Sequence, residues 1–186
     1  MRFTEIEHKF VVDERFDLAR FRAQMEALGP TRTVTLRVRD RYFLTDHGRG
    51  NRYVIRHRYD EELQHLTIKA LETDPEIRSE INLDLGQHAG NQAATVDAFV
   101  ERLGATWSGD VTKDIEVWHF PTCEVVYYTA FARNRMVRCV EFEAIHQPSV
   151  DDALAVLDGF ERVTGFDEAE RSRSSLIHLL FPGVLG

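Results

Sequence analysis

Apolar and polar residues alternate with period 2 over much of the chain, which is typical of β-strands with two different faces. In the first such stretch, residues 4–12, the charged side chains of Glu5, Glu7 and Lys9 share one face. Apolar residues such as Ile6 occupy the other face. Two carboxylates on one face of a strand repel each other, so this pattern calls for a specific explanation.

Seven further segments have strand character, and four have the three-to-four spacing of helices. The predicted strands are residues 4–12, 33–45, 52–59, 65–71, 76–85, 110–120, 123–132 and 134–145. The predicted helices are residues 13–28, 91–103, 151–164 and 167–181, with a turn at 46–51. Ser149 and Asp152 have the spacing of a capping box at the start of the third helix. These elements predict an α+β fold with mainly antiparallel strands, because most connections are short.

Several other predicted strands also gather polar or charged residues on one face. These sets are Arg37, Arg39 and Arg41; Arg56 and Arg58; Thr67 and Lys69; Arg78, Glu80, Asn82 and Asp84; and Glu141 and Glu143. One interpretation is that they form the solvent face of an antiparallel sheet. The other is a closed barrel with a charged interior and helices packed outside. The barrel explains the neighbouring like charges and the need to cover the apolar faces.

A lumen with both cations and carboxylates suits a polyanion held together with a divalent metal. Arg and Lys bind phosphate oxygens, and paired carboxylates hold hard ions such as Mg²⁺ or Mn²⁺. Only three of the 23 basic residues are lysines, namely Lys9, Lys69 and Lys113. This bias suggests that the three lysines occupy positions for which the planar, forked guanidinium group of Arg is unsuitable.

Composition narrows the classes of function. The 186 residues are enough for one domain, residues 1–186, and the net charge of −8 argues against a general nucleic-acid binder. No apolar run is long enough for a membrane helix, so we expect no membrane partner. Cys123 and Cys139 lack metal-ligand spacing and fit a reducing compartment, so we expect a cytoplasmic protein.

The Glu5-x-Glu7-x-Lys9 motif resembles the signature of the CYTH domain, or triphosphate tunnel metalloenzyme, superfamily. Further segments resemble the family pattern in the same order along the chain. They are DRYFLTD at 40–46, IRHR at 55–58, LTIKA at 66–70, RSEIN at 78–82, LG at 103–104 and EFE at 141–143. The ordered set is far more specific than any one of these short motifs.

The resemblance implies an eight-stranded antiparallel tunnel that binds a triphosphate and divalent cations, Mg²⁺ or Mn²⁺. Family members include inorganic triphosphatases, thiamine triphosphatases and class IV adenylate cyclases. The metal ligands implied here are Glu5, Glu7, Glu80, Glu141 and Glu143, and the implied triphosphate contacts are Arg56, Arg58, Lys69, Lys113 and Arg173. Lys9 and Tyr42 are the candidates for positioning or deprotonating a water, if the surroundings lower the pKa of Lys9. The alternative for Lys9 is an ion pair with Glu5 or Glu7.

Two departures from the family pattern weaken the second half of the predicted lumen. Ile115 stands where relatives carry Arg, and residues 125–140 contain no acidic side chain. Glu124 is the only candidate to replace the missing acid, and an Arg at 133, 135 or 138 would have to replace the missing cation. From the resemblance we predict a metal-dependent hydrolase of inorganic triphosphate or a related small triphosphate compound. A non-catalytic protein that binds triphosphate, polyphosphate or a nucleotide, a cyclase-like enzyme and a homodimer stay open as alternatives.

Overall fold

Eight antiparallel strands close into a barrel in this computed structural model, which describes residues 4–60, 63–71, 76–86 and 92–184. The strands are β1 (Thr4–Val12), β2 (Arg32–Thr45), β3 (Tyr53–Tyr59), β4 (Gln64–Ala70), β5 (Ile77–Asp84), β6 (Ala105–His119), β7 (Cys123–Ala132) and β8 (Arg135–Ala144). Their order around the barrel is β1-β5-β4-β3-β2-β6-β7-β8. The predicted α+β class and the closed eight-stranded barrel are confirmed.

Five α-helices accompany the strands in the described part of the chain. They are α1 (Leu18–Ala27), α2 (Asp46–Gly50), α3 (Ala93–Arg102), α4 (Val150–Thr164) and α5 (Leu176–Leu180), with a 3₁₀ turn at Glu168–Glu170. The predicted turn at 46–51 contains the short helix α2, which Thr45 caps by accepting a hydrogen bond from the Gly48 amide at 2.8 Å. The predicted capping box is present, since the Asp152 amide donates to Ser149 Oγ at 3.1 Å. No helix of the described residues is long and apolar enough to cross a membrane.

The prediction of one continuous helix over residues 167–181 is wrong. After the 3₁₀ turn the chain runs alongside β1, where Arg171 forms a bridge with Phe10. The amide of Ser172 donates to the carbonyl of Lys9 at 2.6 Å. This pairing uses backbone groups that a helix would have bonded internally, so only the last part, α5, is helical.

Helices cover the outer faces of much of the barrel, as the alternation predicted, but not those of β4 and β5, where Ile68, Ile81 and Leu83 are exposed. Helices α1 and α4 pack over β1 and β6–β8. The buried residues of this layer include Ile6, Phe10, Phe21, Met25, Trp118, Val125, Phe142 and Leu157. Helix α3 covers β2 and β3, where Val96 and Val100 pack on Phe43 and Ile55. Burying these faces outside leaves the alternate side chains to point into the barrel.

The arginines of β2 point outward, contrary to the idea that every charged strand face lines the lumen. Arg37 has a side chain that is 71% exposed, and Arg41 pairs with Asp97 of α3 at 3.1 Å. The opposite face of β2, which carries Val38 and Tyr42, points inward. Its apolar residues pack against α5, and this packing decides which face of the strand turns inward.

Helix α5 fills one end of the barrel interior. Its buried side chains are Leu176, Ile177 and Leu180, followed by Phe181 just after the helix. They pack with inward-facing residues at that end of the strands, such as Leu44 of β2. The interior is therefore an apolar plug at one end and a cavity over the rest of its length.

Candidate active site

A cavity of about 690 Å³ occupies the barrel interior, and all the site residues predicted from the sequence line it. They are Glu5, Glu7, Lys9, Tyr42, Arg56, Arg58, Lys69, Glu80, Lys113, Glu141, Glu143 and Arg173. The volume lies in the range of roughly 300–1,000 Å³ that holds drug-sized ligands. The strands thus bring the predicted residues into one space, although their individual roles stay predictions.

Carboxylates from neighbouring strands form one wall of the cavity. Glu7 of β1 lies opposite Glu143 of β8, and Glu143 lies opposite Glu124 of β7. Glu124 thus faces inward, which answers the question that the sequence left open about a replacement for the missing acid. Its carboxylate is 3.0 Å from His119 Nδ1. The wall offers carboxylate oxygens, the ligands that Mg²⁺ and Mn²⁺ prefer.

Glu143 differs electrostatically from the other carboxylates of this wall. Among the described residues no cation lies within ion-pair distance of it. Burial and the nearby charges of Glu5 and Glu7 raise the pKa of Glu143 well above its usual value. A buried carboxyl group that has no ion-pair partner in the described part of the chain and lies next to other carboxylates suits a divalent metal. Glu5, Glu7, Glu141 and Glu143 would hold such an ion after a change of rotamer, because no three ligand atoms of these residues lie within 4.8 Å of one another in the present ion-paired arrangement.

Cations from β4 and β5 pair with these carboxylates. Lys69 lies 2.7 Å from a Glu5 oxygen and 3.0 Å from a Glu80 oxygen, and Arg78 contacts Glu5 at 3.2 Å and also Glu7. Burial opposes charge on Lys69, but Glu5 and the neighbouring carboxylates raise its pKa. The sequence reasoning gave Arg78 no site role, although its period-2 relation to Glu80 places it on the lumen face.

Asp40 is a site residue that the sequence reasoning missed. It is fully buried and accepts hydrogen bonds from Arg58 Nε and Nη2 at 2.7 and 2.9 Å. Lys113 Nζ lies 2.9 Å from it. Burial alone would raise the pKa of Asp40, but Arg58 and Lys113 hold it well below its usual range. Asp40 therefore fixes the two cations in position at the cavity.

Lys9 forms an ion pair with Glu7 at 3.2 Å, which was the alternative to a role in proton transfer. It also forms an ion pair with Glu141 at 3.1 Å. The lowered pKa expected for Lys9 is wrong: burial would lower it, but Glu7 and Glu141 raise it above the usual value. Lys9 is thus protonated and suited to donate hydrogen bonds rather than to accept a proton. Tyr128 shares its partner, since its hydroxyl donates to Glu141 at 2.8 Å.

Tyr42 does not share a carboxylate partner with Lys9. Its hydroxyl donates to Asp40 at 3.4 Å, and its ring packs in the apolar cluster around α5. The tyrosine joined to Lys9 through a shared carboxylate is therefore Tyr128, which sequence reasoning did not single out. Its place on β7, directly opposite Ile115 of β6, depends on strand register, which no motif encodes.

None of the three arginines considered as replacements for the lost cation of the family pattern lines the cavity. Arg133 lies over the ring of Phe181, 6.0 Å from its centroid, and Arg135 donates to the Leu179 carbonyl at 3.4 Å. Arg138 points away from the cavity as well, because it alternates with the inward-facing residues of β8. Ile115 therefore marks a truly apolar part of the interior.

A second acidic cluster lies outside the barrel, between β1 and α4. His8, Asp158 and Glu161 offer ligand atoms within 4.8 Å of one another. Arg171, however, already pairs with Asp158 at 2.7 Å and with Glu161 at 2.6 Å. His8 Nδ1 is also 2.6 Å from Glu161. A guanidinium satisfies these carboxylates, so we interpret the cluster as a clamp that fastens the segment before α5 to β1.

Comparison with known proteins gives matches by fold rather than by sequence. No family model matches the sequence, and no curated protein matches it. The PH1012 protein from Pyrococcus horikoshii has a similar structure, with a TM-score of 0.73, 18% identity and coverage of 95% of this chain and 99% of that one. A candidate adenylate cyclase from Vibrio parahaemolyticus matches with a TM-score of 0.68, 12% identity and coverage of 95% and 97%.

A third similar structure is HpAC1 from Hippeastrum, a candidate adenylyl cyclase described as having a dominant triphosphatase activity. Its TM-score is 0.60, with 14% identity and coverage of 95% of this chain and 94% of that one. At such identities the likeness shows a shared fold. The barrel fold expected from the CYTH resemblance is therefore confirmed, and it extends over nearly the whole chain.

Proposed function

We propose that this protein is a divalent-metal-dependent triphosphatase that hydrolyses inorganic triphosphate or a related small triphosphate compound. The observation that carries the proposal is the meeting of a carboxylate wall on β1 and β8 with lysines and arginines inside one closed barrel. The activity described for HpAC1, which has a similar fold, supports it. Mg²⁺ and Mn²⁺ are the proposed ions, because all the offered ligands are oxygens.

The ion pairs within the cavity make metal and triphosphate binding depend on each other. Lys9 and Lys69 are held by carboxylates that a divalent cation would also use. A metal on these carboxylates would weaken their hold on the lysines, which would then be free to contact phosphate. Each ligand should therefore raise the affinity for the other, by an equal factor.

The residues of the chain would act mainly by binding and positioning. Arg58 and Lys113 are held by Asp40, so they offer fixed donors to phosphate oxygens. Lys9, which is protonated, would donate to a phosphate oxygen or orient an attacking water. The metal, when bound, would offset negative charge on the phosphates. Such preorganised charge is the main source of catalysis in phosphoryl transfer.

Binding without turnover is the second candidate function. Ile115 and its apolar surroundings favour it, because one side of the cavity lacks the charge found in the family pattern. A cyclase-like activity has less support, since it needs a surface for a nucleobase. Thiamine triphosphate would need an aromatic platform, and the large aromatic residues of the strands that could supply one, Tyr53, Tyr59, Trp107 and Trp118, do not line the cavity.

Replacing Glu7 with Gln tests the proposed hydrolase. We expect loss of metal-dependent phosphate release by at least about 100-fold, the usual scale for removing one preorganised charge interaction. Release from inorganic triphosphate, ATP and thiamine triphosphate would be measured with Mg²⁺, Mn²⁺ or EDTA. Glu116→Gln is the matched control, because Glu116 lies on the outer face of β6 and pairs with Arg22. No release from any substrate by the wild-type protein would contradict the hydrolase and favour the binding protein.

A further inference from the structure

The inner faces of β2, β6 and β7 form an apolar wall opposite the charged strands. Strand register sets its side chains in rows across the three strands. Val34, Val117 and Val126 form one row, and Leu36, Ile115 and Tyr128 form the next. All six residues line the cavity. We call Val34, Leu36, Ile115, Val117 and Val126 the aliphatic wall.

Most of the aliphatic wall keeps surface that faces the cavity. Val34, Leu36, Val117 and Val126 are only half-buried, although the last three also pack against the edge of the cluster around α5, whereas the deeper Val38 is buried within that cluster. Aliphatic surface inside a charged cavity gains nothing from inorganic triphosphate, which is polar on all sides. Covering it with an apolar group would be favourable, at about 25 cal/mol per Å².

The aliphatic wall is continuous with the charged wall. Val126 lies directly opposite Glu141, and Glu141 lies directly opposite Lys9. The row that follows Leu36 and Ile115 contains Val38, which lies opposite Lys113. A ligand that contacts these cations with its phosphates would therefore bring the group attached to them against the wall.

The chemistry of the wall favours an aliphatic group over a stacked ring. Besides the imidazoles of His65, His119 and His178, the aromatic residues that line the cavity in the described part of the chain are Tyr42 and Tyr128. Both are buried, with 4% and 2% exposure, and their hydroxyls bond to Asp40 and Glu141. Neither offers an open ring face to a base, whereas the branched side chains of Val and Leu offer aliphatic surface.

We propose that the substrate is a triphosphate monoester with an aliphatic organic group, which binds on the aliphatic wall while the phosphates bind the cations. This inference rests on the proposed triphosphatase function and names its substrate class. It also explains Ile115: an Arg at this position would place a charge where the organic group binds.

The test uses inorganic triphosphate and the methyl, butyl and hexyl monoesters of triphosphate as probes. Calorimetry with the wild-type protein would give dissociation constants with Mg²⁺ and with EDTA, and phosphate release would be measured in parallel. We expect affinity to rise by roughly fourfold for each buried methylene, and at least tenfold from the methyl to the hexyl ester. Equal affinity for the two esters would overturn the inference.

The double variant Val117→Thr/Val126→Thr checks where the alkyl group binds. Thr has nearly the shape of Val but adds a hydroxyl, so the chain-length effect should shrink severalfold while binding of inorganic triphosphate stays within about twofold. Val163→Thr, at an exposed position of α4, is the matched control. An unchanged chain-length effect in the double variant would overturn the assignment to this wall.

The same measurements separate this inference from the proposed function. Turnover of inorganic triphosphate without any chain-length effect would leave the hydrolase standing and overturn the inference alone. A chain-length effect without turnover of any probe would support the inference and contradict the hydrolase. No binding of any probe would overturn both.

Discussion

Replacing Glu143 with Gln is expected to abolish metal-dependent turnover and, at the same time, to stabilise the fold. Glu143 is a proposed metal ligand, so we expect turnover to fall by at least about 100-fold. No cation of the described residues lies within ion-pair distance of Glu143, and burial together with Glu5 and Glu7 outweighs the attraction of Lys69, so its charge adds a cost to folding. An amide of the same shape removes that cost, with an expected gain of about 1–3 kcal/mol at pH 8.

The pH dependence of this gain follows from the direction of the pKa shift. Burial and two neighbouring carboxylates raise the folded-state pKa of Glu143 above the value of about 4.3 in an unfolded chain. The charge therefore costs stability only when the pH exceeds the unfolded value, and the cost grows as the pH rises. The gain in Glu143→Gln should be present at pH 8 and vanish near pH 4.

Two variants serve as comparisons for Glu143→Gln in thermal unfolding and activity assays. Glu7→Gln should also lose activity but should lower stability, because Glu7 is buried and pairs with Lys9 and Arg78. Glu101→Gln, at an exposed position of α3, should change neither property. A destabilised Glu143→Gln variant, or one with wild-type activity, would contradict the role assigned to Glu143.

Replacing Asp40 with Asn is expected to cause a large loss of stability. Asp40 is fully buried and compensates both Arg58 and Lys113. Removing one partner of a buried ion pair costs about 3–5 kcal/mol, because the other charge is left uncompensated. At about 2–4 °C per kcal/mol for a chain of this size, the melting temperature should fall by about 10 °C or more at pH 7.

Acid should narrow the difference between the wild type and Asp40→Asn. Arg58 and Lys113 hold the folded-state pKa of Asp40 well below the unfolded value of about 3.9. The carboxylate therefore stabilises the fold above pH 4, and this contribution is lost as the pH falls through the folded-state pKa. Thermal unfolding between pH 7 and pH 2 would measure the change.

Asp114→Asn is the matched control for Asp40→Asn. Asp114 lies on the outer face of β6 and pairs with Arg37 at 3.5 Å, with both side chains more than half exposed. Such a surface pair contributes about 0–1 kcal/mol, so this variant should unfold close to the wild type. A difference of less than about 1 kcal/mol for Asp40→Asn itself would show that Asp40 does not organise the two cations.

Most of the predicted site residues could be found from the sequence because they combine two independent signals. Residues such as Glu5, Arg56 and Lys69 alternate with apolar neighbours and also fall on an ordered set of motifs. The alternation identifies residues that share a strand face, and the resemblance to the CYTH superfamily identifies that face as the lumen. The two signals together also predicted eight strands and a closed barrel.

The face of β2 was harder to predict because alternation does not tell which face points inward. Arg37, Arg39 and Arg41 made the wrong face look like the lumen. The inward face carries four apolar residues around Asp40, and it is turned inward by packing against α5, which lies more than 130 positions further along the chain. Asp40 was missed for the same reason, although a single acid in an apolar row is itself a signal.

The protonation state of Lys9 depends on one partner that the local pattern names and on one that it does not. Glu7 lies two residues away, but Glu141 reaches Lys9 only through the pairing of β1 with β8. The same is true of the segment after the 3₁₀ turn. Its helical periodicity is real in α5, while Arg171 and Ser172 bond to β1 instead. The local patterns thus failed where contacts between segments distant in the sequence determine the structure.

Calorimetric titration of inorganic triphosphate into the wild-type protein, with Mg²⁺ and with EDTA, tests the central claim most directly. We expect saturable binding at one site that is at least tenfold tighter with the metal, because the metal would release Lys9 and Lys69 from their carboxylates. We also expect Glu143→Gln to remove most of the difference between the two conditions. Absence of saturable binding, or equal affinity with Mg²⁺ and with EDTA, would contradict the claim that this cavity is a metal-linked triphosphate site.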